Sequence, residues 1–108
     1  QKKIIFYREN LMVVTVILEV KAKQGTGDNL LSFFRQILPD TRSYDGFISL
    51  ELIQNQDDPD VLIAYECWET REHYEKYFAW RKETGFLDKL APLLADAPNI
   101  RYFNLTDA

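Results

Sequence analysis

A chain of 108 residues has room for one domain core and no second. Hydrophobic residues make up 46% of it and aromatics 14%, more apolar surface than one small core hides, which favours self-association. The 13 Lys and Arg against 17 Asp and Glu leave a net charge of -4, the wrong sign for nucleic acid or an anionic membrane surface.

No apolar run approaches the ~18 residues of a bilayer span. Cys67, the single cysteine, has no internal disulfide partner, and with one histidine beside it a Cys/His zinc site is not expected. These features describe a soluble, cytoplasmic protein without a metal. At the start, Lys2 and Lys3 precede apolar residues, and Leu11 to Leu18 imitates a signal core. Arg8, Glu9 and Asn10 interrupt that run, and no small-residue cleavage site follows. Residues 1–11 therefore read as a leader, with Met12 an alternative start and 12–108 the domain.

Val13 to Val20 is β-branched and partly alternating, a first strand with Val14, Val16, Leu18 and Val20 on one face. Gln24 to Asp28 is a turn, with Thr26 or Asp28 available to cap a helix. Leu30, Phe34, Ile37, Leu38 and Thr41 recur at helical spacing, and Pro39 is expected to kink or loosen the last turns. Tyr44-Asp45-Gly46 ends this helix. Phe47 to Gln54 alternates as a second strand, with Ile48, Leu50 and Leu52 on one face. Asp57 to Asp60 is a hairpin connection into a third strand, Val61 to Glu69. Thr70 then caps a second helix, with Glu72 in its first turn and Tyr74, Tyr77, Phe78 and Arg81 along one face. Gly85 breaks it. Phe86, Leu87, Leu90, Leu93 and Leu94 form a further helical stripe, Asp96-Ala97-Pro98 turns, and Ile100 to Leu105 is a last strand.

The predicted order is strand, helix, strand, strand, helix in two pieces, strand. That is an α+β fold of ferredoxin-like βαββαβ type, a four-stranded antiparallel sheet with its helices on one face. Strands one and three are apolar on both sides. The uncovered side predicts a partner, most simply a second copy, closing a dimeric α+β barrel.

Several short stretches carry a resemblance to a known family. They are Thr41-Arg42 with Asp45-Gly46-Phe47, Asp58-Pro59-Asp60 at the hairpin, Tyr65-Glu66-Cys67-Trp68-Glu69-Thr70, and Leu90-Ala91-Pro92-Leu93-Leu94. In this order the chain from about Met12 to Leu105 resembles the antibiotic-biosynthesis-monooxygenase family, which includes quinol and anthrone oxygenases. The resemblance implies a homodimer acting on a small aromatic substrate with no metal, flavin or heme. Many members carry a histidine on the helix after the third strand. Tyr77 stands there in this chain, and the only histidine, His73, lies one turn earlier. The heme-degrading relatives need a proximal histidine, for which His73 is a poor substitute.

A pocket for such chemistry needs apolar walls, a base and donors for a developing oxyanion. Phe33 or Phe34, Trp68, Tyr77, Phe78 and Trp80 are candidate walls, and Arg42, Tyr65, Tyr77 and Arg81 candidate donors. His73 or Glu66 is the candidate base. The catalytic set is Tyr77, Arg81 and His73, with Phe34, Arg42, Tyr65, Trp68, Phe78 and Trp80 binding substrate. Each has a plainer reading: Trp68 as a core or interface anchor, Tyr74, Tyr77 and Phe78 as a core stripe, Arg81 in an ion pair, His73 in solvent. The main alternative is a non-catalytic or stress-associated dimer that holds a small ligand in the same pocket; a purely structural dimer would fill the pocket solidly. An oxygenase requires a cavity beside Trp68 and Tyr77.

Overall fold

The computed structural model describes residues 13–108. The leader segment and Met12 lie outside the described residues. Four strands form one antiparallel sheet: β1 (Val14–Lys21), β2 (Phe47–Gln54), β3 (Val61–Trp68) and β4 (Asn99–Asn104), in the spatial order β2-β3-β1-β4. Helices α1 (Gly27–Arg42), α2 (Arg71–Glu83) and α3 (Phe86–Leu90) lie against one face, and a 3₁₀ turn (Ala91–Leu93) leads into β4. The expected ferredoxin-like order is the one found.

Alternation decides what each face holds. On β1, Val14, Val16, Leu18 and Val20 are buried beneath the helices, and on β3 Leu62, Ala64, Glu66 and Trp68 share that side. Burying a large apolar side chain contributes roughly 1.5–3 kcal/mol, so this face and the stripes of α1 and α2 supply most of the stability. The opposite side carries Ile17, Ile63, Tyr65, Cys67, Ile53 and Phe103, and nothing among the described residues covers it.

Three local features depart from the sequence expectation. The alternation of β2 is broken by a bulge between Phe47 and Ser49. The bulge turns Ile48 out to solvent and brings Phe47 edge-on to Trp68, ring centres 5.5 Å apart, so Ile48 does not share the face of Leu50 and Leu52. Pro39, expected to kink or loosen the last turns, leaves α1 an unbroken helix to Arg42. The helical bond that Pro39 cannot donate would have gone to the carbonyl of Arg35, an exposed residue whose backbone water can reach.

Neither Thr26 nor Asp28 caps α1 through its side chain; Thr26 donates to the Lys23 carbonyl instead. The cap comes from far along the chain. The Asp60 carboxylate accepts the N–H of Gly27 at 3.0 Å and that of Gly25 at 2.9 Å, tying the start of α1 to the β2–β3 hairpin. A side chain at residue 27 has no room, because a Cβ there would lie 2.2 Å from the Pro59 carbonyl oxygen. Gly27→Ala is therefore expected to destabilise the fold by about 1–3 kcal/mol, the usual cost of overpacking against backbone. Urea unfolding beside Ser32→Ala, at an exposed position of the same helix, checks this: equal losses in the two variants would mean that the contact with Pro59 is immaterial.

Candidate functional site

Helix α2 puts Tyr74, Tyr77, Phe78 and Arg81 on the side facing the sheet. Arg81 is only 5% exposed, yet none of the ion pairs among the described residues includes it. Its Nε donates to the Tyr77 hydroxyl at 2.9 Å, and Nη2 donates to the Ile37 carbonyl and the Thr41 hydroxyl, each at 2.8 Å. Thr41 and Tyr77 meet at 2.7 Å. Each of these hydroxyls already accepts from Arg81, so one donates to the other and one hydroxyl proton is left over. The Nη1 donors have no partner among the described residues. Aromatic faces take the place of a carboxylate, with the guanidinium carbon 4.8 Å from the Trp80 ring centre and 5.1 Å from that of Phe86.

Across the same interior, β3 contributes Glu66, only 3% exposed. Its Oε1 accepts the Trp68 indole N–H at 3.0 Å. Burial pushes its carboxyl up to about 7, against the lowering effect of that bond. Burial also raises Tyr77, while the bonds from Thr41 and Arg81 and the charge of Arg81 pull it back. Tyr74 is raised by burial and by the neighbouring Glu66.

Glu66, Tyr74, Tyr77 and Arg81 line one enclosed cavity with Phe34, Phe78 and Phe86 among its apolar walls. Its free room is small, about 20 Å³, enough for a water and not for an aromatic ring. A buried acid and a buried cation thus share an apolar chamber without neutralising one another in an ion pair.

Of the residues singled out from sequence, Tyr77, Arg81, Phe34 and Phe78 meet in this cavity. Trp68 does not line it; fully buried, it backs Tyr77 with ring centres 4.9 Å apart and holds Glu66. Trp80 sits at the rim, against Tyr44 and above Arg81. Three others lie elsewhere. Tyr65 has the opposite parity to Trp68 on β3 and is 48% exposed on the uncovered side of the sheet. Arg42 is exposed at the end of α1. His73 packs on Gly46, where a Cβ would overlap its ring, and its Nδ1 meets the Thr70 hydroxyl at 2.7 Å. It faces Asp45, not the cavity.

Thr41 and Tyr74 were missed as site residues. Thr41 shows in sequence as part of a core stripe and of the Thr41-Arg42 stretch of the resemblance, with nothing to mark it as a partner of Arg81. Glu66 was legible as an acid on the apolar face of a strand. Asp45, Glu69 and His73 are the one grouping of ligating side chains among the described residues, with ligand atoms within 4.8 Å of one another. They flank the start of α2, whose positive end opposes a cation.

The family described as antibiotic biosynthesis monooxygenase matches residues 13–91. Solved structures share the fold. A conserved protein from Methanosarcina mazei Go1 is 14% identical with a TM-score of 0.80, covering 93% of this chain and 99% of that one. A protein from Shewanella oneidensis is 19% identical with a TM-score of 0.77, covering 89% and 93%. An antibiotic biosynthesis monooxygenase is 18% identical with a TM-score of 0.75, covering 86% and 98%. At these identities the likeness carries the fold alone. No curated protein matches the chain.

The raised carboxyl makes stability depend on pH. The folded chain prefers Glu66 protonated, so its contribution is whole below about pH 4.5 and is lost as pH rises through about 7. The difference is on the order of 3 kcal/mol. Glu66→Gln keeps the acceptor for Trp68 and cannot ionise. In urea unfolding it is expected to match the wild type near pH 4 and to exceed it by about 2–3 kcal/mol near pH 8. Parallel loss of stability in the two proteins would mean that the carboxyl is hydrated.

Proposed function

The chain belongs to the antibiotic biosynthesis monooxygenase family, and we propose that it is a cofactor-independent monooxygenase acting on a quinol or polycyclic aromatic molecule held between Glu66 and Arg81. One observation carries this reading: a carboxyl titrating near neutrality and a buried guanidinium without a counter-ion among the described residues line the same apolar cavity. The base role considered for His73 passes to Glu66, because His73 faces away.

In this reading, ionised Glu66 takes the phenolic proton. The spare hydroxyl proton of the Thr41–Tyr77 pair and the Nη1 donors of Arg81 hold the resulting oxyanion in surroundings of low dielectric, where such donors act most strongly. The electron-rich anion reduces oxygen. One oxygen atom enters a carbon–oxygen bond of the product, and the other leaves as water with the two hydrogens that the substrate loses. Phe78, half-exposed, is the side chain whose displacement admits a ring. The small free room and the solid packing of Trp68 and Tyr74 are what a purely structural dimer would show and weigh against turnover; ligand binding without turnover is the second reading.

Oxygen uptake by metal-stripped protein over a panel of quinols and anthrones, corrected for autoxidation, separates the two. Saturable uptake is expected, rising with pH through about 7 as Glu66 ionises, and falling about 10²–10⁴-fold in Glu66→Gln. Arg81→Ala is expected to lose about 10²–10³-fold and Tyr77→Phe a smaller factor. No uptake above background would leave binding alone.

We further propose that a second copy covers the open face of the sheet. The face carries apolar side chains on all four strands, with Ile53, Tyr65, Ile17 and Phe103 in that spatial order. A stable pair buries roughly 1,200–2,000 Å². In light scattering the wild type is expected at the mass of a dimer and Tyr65→Lys/Phe103→Glu at that of a monomer; an unchanged mass in the variant would place the contact elsewhere.

A further inference from the structure

The cavity lined by Glu66 and Arg81 has a charge balance that one proton changes. A guanidinium stays charged at any working pH. With Glu66 protonated the chamber holds one positive charge and no negative one; with Glu66 ionised it holds one of each. Nothing else lining it alters that count. Tyr74 and Tyr77, on α2, are the other titratable side chains there, and burial raises both, so they stay neutral where Glu66 ionises. Strands β1 and β2 and helices α1 and α3 present apolar side chains to it, Leu18, Leu50, Phe34 and Phe86 among them.

The two groups are also held so that they do not cancel. On β3 the Trp68 indole N–H ties Glu66 Oε1 at 3.0 Å. Arg81 uses Nε and Nη2 on Tyr77, Thr41 and the Ile37 carbonyl, and its Nη1 donors have no partner among the described residues. The free room of about 20 Å³ exceeds the ~10–15 Å³ that a water needs. An uncompensated cation in apolar surroundings is costly, and a guanidinium is the cation best suited to a buried ion pair.

We infer that this chamber is a binding site for one single-atom anion, a halide, held by Arg81 Nη1, and that the anion enters together with a proton taken up by Glu66. Chloride is only somewhat larger than a water, whereas sulfate and organic acids exceed the room. A halide beside an ionised Glu66 would put two negative charges in one apolar chamber, so the carboxyl takes up a proton as the halide enters. The inference goes beyond the proposed function: it rests on the cavity and its two charges, and needs neither phenol nor oxygen. The charge state it produces is also the one the proposed reaction reaches after proton transfer.

Chloride-35 line broadening by the full chain tests this at constant ionic strength, with sodium gluconate making up the balance. Saturable broadening is expected that bromide removes and sulfate does not. Affinity is expected to be level below about pH 7 and to fall about tenfold per pH unit above it, one proton for each anion. Glu66→Gln cannot ionise and is expected to keep the low-pH affinity, about a hundredfold above the wild type at pH 9. Arg81→Met is expected to lose the saturable broadening. Absence of saturable broadening, displacement by sulfate, or a wild-type affinity that stays level to pH 9 overturns the inference. So does a Glu66→Gln affinity that falls as the wild type's does, a result that stands even if Arg81→Met does not fold. Oxygen uptake is read separately, so the halide site and the proposed oxygenation fail independently.

Discussion

A guanidinium buried without a carboxylate partner among the described residues is the constraint around which this domain is built. Taking Arg81 out of water costs several kcal/mol unless its donors are met. The Nε and Nη2 donors are met by oxygens from two helices: Tyr77 on α2, Thr41 and the Ile37 carbonyl on α1. The charge thereby fixes how α1 and α2 sit on each other at the point where both cross the sheet. An ion pair would have satisfied the guanidinium more cheaply, but would also have neutralised it. Hydroxyls and aromatic faces leave its positive field available.

Glu66 is the complement of that arrangement. Strand alternation places it between Ala64 and Trp68 on the buried side of β3, and the indole N–H holds one carboxyl oxygen. Trp68 is thus more than bulk: it fills the interior, backs Tyr77 and fixes the direction of the acid. The Phe47 bulge closes the other side of the same indole. An acid and a cation held apart in one apolar chamber are expensive for folding and useful for handling a proton.

Much of this was legible in the sequence because period-two and period-3.6 patterns report which side chains share a face. The stripe of Tyr74, Tyr77, Phe78 and Arg81 gave the wall of the cavity, and the parity of β3 already joined Glu66 to Trp68. The same parity separates Tyr65 from Trp68, so treating both as walls of one pocket ran against the strand's own geometry. What periodicity does not carry is pairing across the chain. Nothing local marks Thr41 as the partner of Arg81, 40 residues away. Nothing local in β2 announces a bulge, and the turn of the His73 ring onto Gly46 depends on a glycine with φ of 86° in another element.

The carboxylate of Asp60 has a kinetic meaning as well as a structural one. Helices ordinarily nucleate from their own first turn, with a cap a few residues away. In α1 the N–H groups of Gly25 and Gly27 are met only by a side chain 33 to 35 positions downstream. The first turn of α1 therefore completes its hydrogen bonds only after the β2–β3 hairpin has closed and docked, which makes the longest helix dependent on a non-local contact. Such contacts slow folding because the chain between them must be ordered first. The cap itself can form only once the hairpin is in place, the reverse of the order in which the chain is synthesised.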